Sequence, residues 1–225
     1  MKDDTDIKLV QDVTERGAEI RTRLRELLAR REYTTDLRTV LVIGLVDQAL
    51  EHHQAIWLLR ERELNGAALA VIRLEYDAML RALWLRAVAT EEQVEQASRD
   101  ELNWLRIPIR HDIRRVYFGT PEDPNWAAKL DKLFDSLERE WKALCSYTHS
   151  GALQLRHRFT LNQVKPDYSP RDIAVGLSSA TICLLFSLPP LLATMGAHNE
   201  AMETVRMLGP YRDEFRERLK APEGA

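Results

Sequence analysis

Apolar residues recur along most of the chain at spacings of three and four, the interval that places them on one face of a helix. Over residues 7–31, Leu9, Val13, Ile20, Leu24, Leu27 and Leu28 form one stripe on an otherwise charged segment. Tyr33-Thr34-Thr35-Asp36 caps a second helix over 36–63, and Asn65-Gly66 punctuates its end. A third helix is predicted over 66–89. Thr90-Glu91-Glu92-Gln93 has the form of a capping box and opens a fourth, which runs toward Trp104 until Pro108 limits it. Further helices are expected over 110–117, over 125–145, from Ser169-Pro170 to about 197, and over 199–220. Ser146 to Gly151 reads as a turn and 160–169 as an irregular connection.

Strand-type alternation is missing from the sequence, so the expected fold is all-α. It is a bundle of about six to eight helices in one domain spanning 1–225. The helices at 66–89 and 170–197 are apolar enough to be central and buried, while 7–31 and 199–220 are charged and peripheral.

Ile173 to Ala197 carries no charge and is long enough to cross a bilayer. It also holds Gly176, Ser178, Ser179, Thr181, Ser187 and Pro189-Pro190, with no basic flank. A buried core helix, broken or kinked at the prolines, is therefore expected rather than a membrane span. The formal net charge of −3 argues against general coating of nucleic acid or anionic membranes. Arg nevertheless outnumbers Lys by 25 to 7, and Arg grips carboxylate and phosphate through two parallel donors. With Cys145 and Cys183 far apart and no secretory signal pattern, a cytoplasmic protein with reduced thiols is expected.

The third helix bears the most informative pattern. It is apolar nearly all round, yet Arg73, Asp77 and Arg81 follow one another at four-residue spacing and Trp84 completes their stripe. The four side chains fall within an arc of about 80° and are neighbours. A charge in such a helix is costly unless paired. Asp77 can satisfy one guanidinium fully, which leaves about one positive charge to be met. Either a structural ion-pair network absorbs it or an anionic ligand does.

A second candidate is Cys145-Ser146-Tyr147-Thr148-His149-Ser150-Gly151. His149 is a general acid–base candidate, or else a cap on the preceding helix; Tyr147 would flank the site. Basic clusters lie at Arg106, Arg110, His111, Arg114 and Arg115, and at Arg156, His157 and Arg158. They form either a polyanion-facing surface near the His149 turn or a solvated face. No metal is expected, because none of the six His is preceded by Glu at three residues or paired with another His at four. No phosphate loop or nucleophile elbow occurs, and no cofactor is expected. His52 and His53 point about 100° apart, so only one of them can face the core.

The run His53…Arg73-Leu-Glu-Tyr-Asp77-Ala-Met-Leu-Arg81-Ala-Leu-Trp84, with Ser146-Tyr147-Thr148-His149-Ser150-Gly151 downstream, resembles a set of uncharacterised bacterial helical proteins over about residues 40–160. That resemblance implies the fold and no settled activity. The chain is more remotely similar to the HEPN superfamily, many of whose members are toxins or antiphage proteins that cut RNA. The superfamily's signature is an Arg followed after four to six residues by a His, and Arg106-Ile-Pro-Ile-Arg-His111 has that spacing. Pro108 departs from it by disrupting the helix between the two.

The expected site is a polar pocket in which Arg73 and Arg81 bind an anion, Asp77 orients them, Trp84 walls them and His149 completes the set. The HEPN resemblance would make that anion an RNA or nucleotide phosphate, in a setting of stress or phage defence. It would make the reaction cleavage, with His149 or His111 as acid–base group and Arg106 beside His111. The rival expectation is a non-enzymatic helical module that forms a homodimer or larger homo-oligomer.

Overall fold

The computed structural model describes residues 4–29, 32–118, 144–149, 155, 157, 159–160, 163–164, 167–216 and 218. The helices follow the apolar period closely. They are α1 (Asp4–Ala29), α2 (Leu37–Glu61), α3 (Asn65–Ala87), α4 (Glu91–Ser98), α5 (Ile109–Phe118), α6 (Pro170–Thr194) and α7 (His198–Arg216). A single 3-10 turn occupies Trp104–Arg106, and residues 144–148 are helical. The strands among the described residues are two-residue pieces, Phe159–Thr160 and Gln163–Val164, paired antiparallel within the connection read as irregular. The fold is all-α.

Helix starts are set by side-chain caps. Asp36 accepts a hydrogen bond from the Thr39 amide at 2.9 Å to begin α2. Thr90 and Gln93 close a capping box at 3.2 and 2.9 Å to begin α4. Ser169 accepts from the Asp172 amide at 3.0 Å, with Pro170 in the first turn of α6.

Three helix ends use one device, a residue of positive φ that lets the following amide reach back to a carbonyl five residues earlier. Glu63 (φ 58°) ends α2, Asp100 (φ 58°) ends α4 and Gly196 (φ 75°) ends α6. The closing bonds are Leu64 to Leu59 at 2.9 Å, Glu101 to Gln96 at 2.9 Å and Ala197 to Leu192 at 2.8 Å. Two expectations change accordingly. Asn65-Gly66 lies in the first turn of α3 rather than in the break, and the fourth helix stops at Ser98, short of Trp104.

Two further expectations also change. The expected turn after Cys145 begins later, since the helix continues to Thr148 and turns at His149. α6 continues as helix through Pro189-Pro190, whose fixed φ is itself helical although each lacks a backbone N–H to donate.

α2 and α3 pack along their lengths, α6 lies against α1, α3 and α7, and α5 crosses α3. The buried apolar side chains from Leu9 on α1 to Phe215 on α7 form one continuous core. α1 and α7, expected at the periphery, thus each seat a buried stripe in it. α6 is the one helix among the described residues long and apolar enough to cross a membrane, and 61% of its most apolar window is buried inside the fold.

α1, α2 and α6 meet at Gly17, where an added Cβ would overlap the Trp57 indole and crowd Thr181 Oγ1. Gly17→Ala is therefore expected to destabilise the protein by about 1–3 kcal/mol, because a rigid indole cannot step aside. A thermal melt checks this, and an unchanged midpoint would show that the three helices are not locked at this point.

Candidate anion-binding groove

α3 carries its charges on two sides. Arg73, Asp77 and Arg81 lie on the side away from α2, half-buried, where α5 crosses. With Leu80 they form one wall of a groove of about 440 Å³, and the segment from Trp104 to His111 forms the other. The two candidate groups of the sequence thus meet, since Arg110 and His111 line the same groove as Arg73, Asp77 and Arg81.

Arg73 donates through Nε to Asp77 at 3.2 Å and through Nη1 to Cys145 Sγ at 3.0 Å. Burial pushes the Asp77 carboxyl upward, opposed by the positive charges of Arg73, Arg81 and Arg110. Arg81 is differently placed. Its guanidinium carbon lies 4.8 Å from the centroid of the Trp104 ring, a cation–π contact, and no carboxylate among the described residues lies within 4 Å of it.

Several expected members sit elsewhere. Trp84 is 2% exposed and lies behind the groove, because on α3 its position turns inward among the core side chains. It touches the groove's Trp104 edge-on at 5.9 Å, and its Nε1–H donates to Asp112 Oδ2 at 3.2 Å. Trp104 therefore forms the wall assigned to Trp84. Asp112 in turn faces His111, with Oδ1 3.5 Å from the ring Nδ1, and the His111 side chain stays 74% exposed.

Tyr147 belongs to a separate aromatic cluster. It stacks on His157, which stacks on Tyr168 at 4.8 Å, and burial pushes the Tyr147 hydroxyl up to about 12. His149 is exposed on its turn and is not among the groove-lining residues. Arg106 is exposed in the 3-10 turn, and Pro108 separates that turn from the helix carrying His111, so the two do not share a helix face. Ser150, Gly151, Arg156 and Arg158 lie outside the described residues.

Sequence reasoning missed the charges buried deepest. Glu75 on α3 and His53 on α2 are both 0% exposed and meet at 3.0 Å between Oε2 and Nδ1. Of the adjacent histidines, His53 is the one that faces the core. His53 Nε2, Glu75 Oε1 and Trp57 Nε1 have no hydrogen-bond partner among the described residues. A signal was present: Glu75 interrupts the stripe Leu69, Ile72, Tyr76, Met79 and Leu83, so a carboxyl had to enter the core with a partner. Among the described residues no group of three or more His, Cys, Asp or Glu is placed to hold a metal.

The arrangement defines an all-helical protein with a cationic groove on its central helix. A model of the family of unknown function DUF6988 matches residues 46–217, and the chain belongs to that family. The matched span holds both the groove and the buried pair. No curated protein and no solved structure matches the chain.

Burial pushes Glu75 up, opposed by the attraction of His53. A carboxyl raised in the fold contributes stability below its unfolded value and loses it as pH rises through the folded one. Relative to Glu75→Gln, the wild-type protein is therefore expected to lose stability as pH rises above the ordinary glutamate value of 4.5. Denaturant midpoints on both sides of that value check the sign, and a difference independent of pH would contradict it.

Proposed function

We propose that this protein binds a phosphate-bearing anion, RNA or a nucleotide, in the groove between α3 and α5. Arg81 carries the reading: a half-buried guanidinium laid on the Trp104 indole at the edge of an open groove. A guanidinium in low-dielectric surroundings is stabilised by an anion with planar, paired acceptors, and phosphate supplies them. Arg73, tied to Asp77 and Cys145, holds the groove's shape.

If the bound RNA is cleaved, His111 is the acid–base group and Arg81 stabilises the charge developing on the phosphate. Trp84 and Asp112 position His111 from behind. His149 has no part in this arrangement, because it stands away from the groove lining.

A second reading, self-assembly into a homo-oligomer, is favoured by the large apolar side chains Leu37, Val40 and Leu58 left exposed on α2. Sedimentation checks it, and a clean monomer at micromolar concentration removes it.

Filter binding of a single-stranded RNA to the wild-type protein and to Arg81→Gln tests the groove. The variant is expected to bind at least about tenfold more weakly, with a salt slope smaller by about one. Equal affinity would reject the site. Any cleavage is expected to vanish in His111→Ala with binding retained.

A further inference from the structure

The core is not apolar throughout. α6 packs against both α1 and α7, and α1 touches α7. Polar side chains gather at this junction: Tyr211 and Thr181 are 0% exposed and Ser178 is 2% exposed. Three atoms here are buried and have no hydrogen-bond partner among the described residues, Tyr211 Oη on α7, Ser178 Oγ on α6 and Arg16 Nε on α1. A buried polar group without a partner is costly, and native cores keep few of them. Three from three helices at one junction point to a shared partner.

The side chains already face one another. Burial pushes the Tyr211 hydroxyl up to about 12, opposed by the facing hydroxyls of Ser178 and Thr181, yet it closes a hydrogen bond to neither. Ser178 is set apart from the other hydroxyls of its kind. Thr181, Thr194 and Thr204 each donate to the carbonyl four residues back, at 3.3, 3.0 and 2.9 Å, and Ser178 does not. Arg16 and Glu214 supply the charges nearest the Tyr211 hydroxyl. The Glu214 carboxylate stands 3.9 Å from Arg16 Nε, too far to accept a hydrogen bond from it.

These atoms restrict what can join them. The Ser178 and Tyr211 hydroxyls each donate or accept, and Arg16 Nε only donates. Thr181 Oγ1, whose proton goes to the Leu177 carbonyl, is left to accept. A cation would sit beside the Arg16 guanidinium and an anion beside the Glu214 carboxylate. A neutral group that donates and accepts in several directions fits all four, and water does so through two to four hydrogen bonds.

We infer that the junction of α1, α6 and α7 binds an internal water molecule, held by Arg16, Ser178, Thr181 and Tyr211. The water bridges three helices that their own side chains leave unjoined at this point. It stands independently of the groove between α3 and α5.

Oxygen-17 relaxation dispersion of the full chain counts long-lived internal waters and tests the inference together with thermal melts. Ser178→Ala and Tyr211→Phe are each expected to lower the count by one. Each is also expected to lower the melting midpoint by about 2–4 °C, the shift of one lost hydrogen bond in a chain of this size. Thr204→Val is the control, since its hydroxyl is equally buried but bonded within α7, and it is expected to leave the count unchanged.

A count that stays the same in both variants would overturn the inference. If the midpoint falls all the same, Ser178 and Tyr211 bond each other directly and no water joins them. A raised midpoint would overturn it too, because that is the result of deleting a dry hydroxyl without a partner. Loss of a water in Thr204→Val as well would show general loosening instead of a site. Should Tyr211→Phe fail to fold, Ser178→Ala, which removes a single oxygen atom, decides alone.

Discussion

α3 has to bury most of its circumference, and each of its charges must go where packing leaves room for it. That constraint organises the molecule. Apolar positions on both sides draw α2 and α6 onto the helix, leaving a strip at Arg73, Asp77 and Arg81 that α5 only partly covers. The strip can stay half-open because guanidinium groups tolerate partial burial when they lie on aromatic faces or carboxylates, as Arg81 and Arg73 do. Glu75, on the other side, has no such outlet, and the partner it meets among the described residues is His53.

The two charged sites of α3 therefore differ in kind. The His53–Glu75 pair is closed, one imidazole against one carboxyl with both side chains fully buried. Removing one partner from such a pair leaves an uncompensated polar group in the core, which is why it reads as structural. The groove is open, and its described lining brings Arg73, Arg81, Arg110 and His111 together with Asp77. An open groove lined by polar side chains is accessible to a ligand, whereas the closed pair is not.

Much of this was legible in the chain. The helices, the Thr90 capping box, the Ser169-Pro170 start and the adjacency of Arg73, Asp77 and Arg81 all depend on short-range spacing, which a sequence carries directly. The partners across space did not follow. Period alone shows that α3 is apolar on opposite sides, but not that His53 of α2, 22 residues away, would meet Glu75. The helix ends at Glu63 and Asp100 depend on positive φ at residues that usually avoid it, so Trp104 left the fourth helix and became a wall of the groove. Trp84 shares the stripe of Arg81 on a wheel, yet its ring turns into the core and reaches the site only through Trp104 and Asp112.

The proposed function stands on Arg81 meeting an anion in solution. Nuclear magnetic resonance of the arginine side-chain nitrogens during a phosphate titration tests it most directly, because it reads the guanidinium itself without any variant. A saturable shift of the Arg81 Nε resonance is expected, accompanied by Arg110 and by the Trp104 indole proton. A resonance that stays fixed, or drifts linearly with ionic strength like those of exposed arginines, would contradict it.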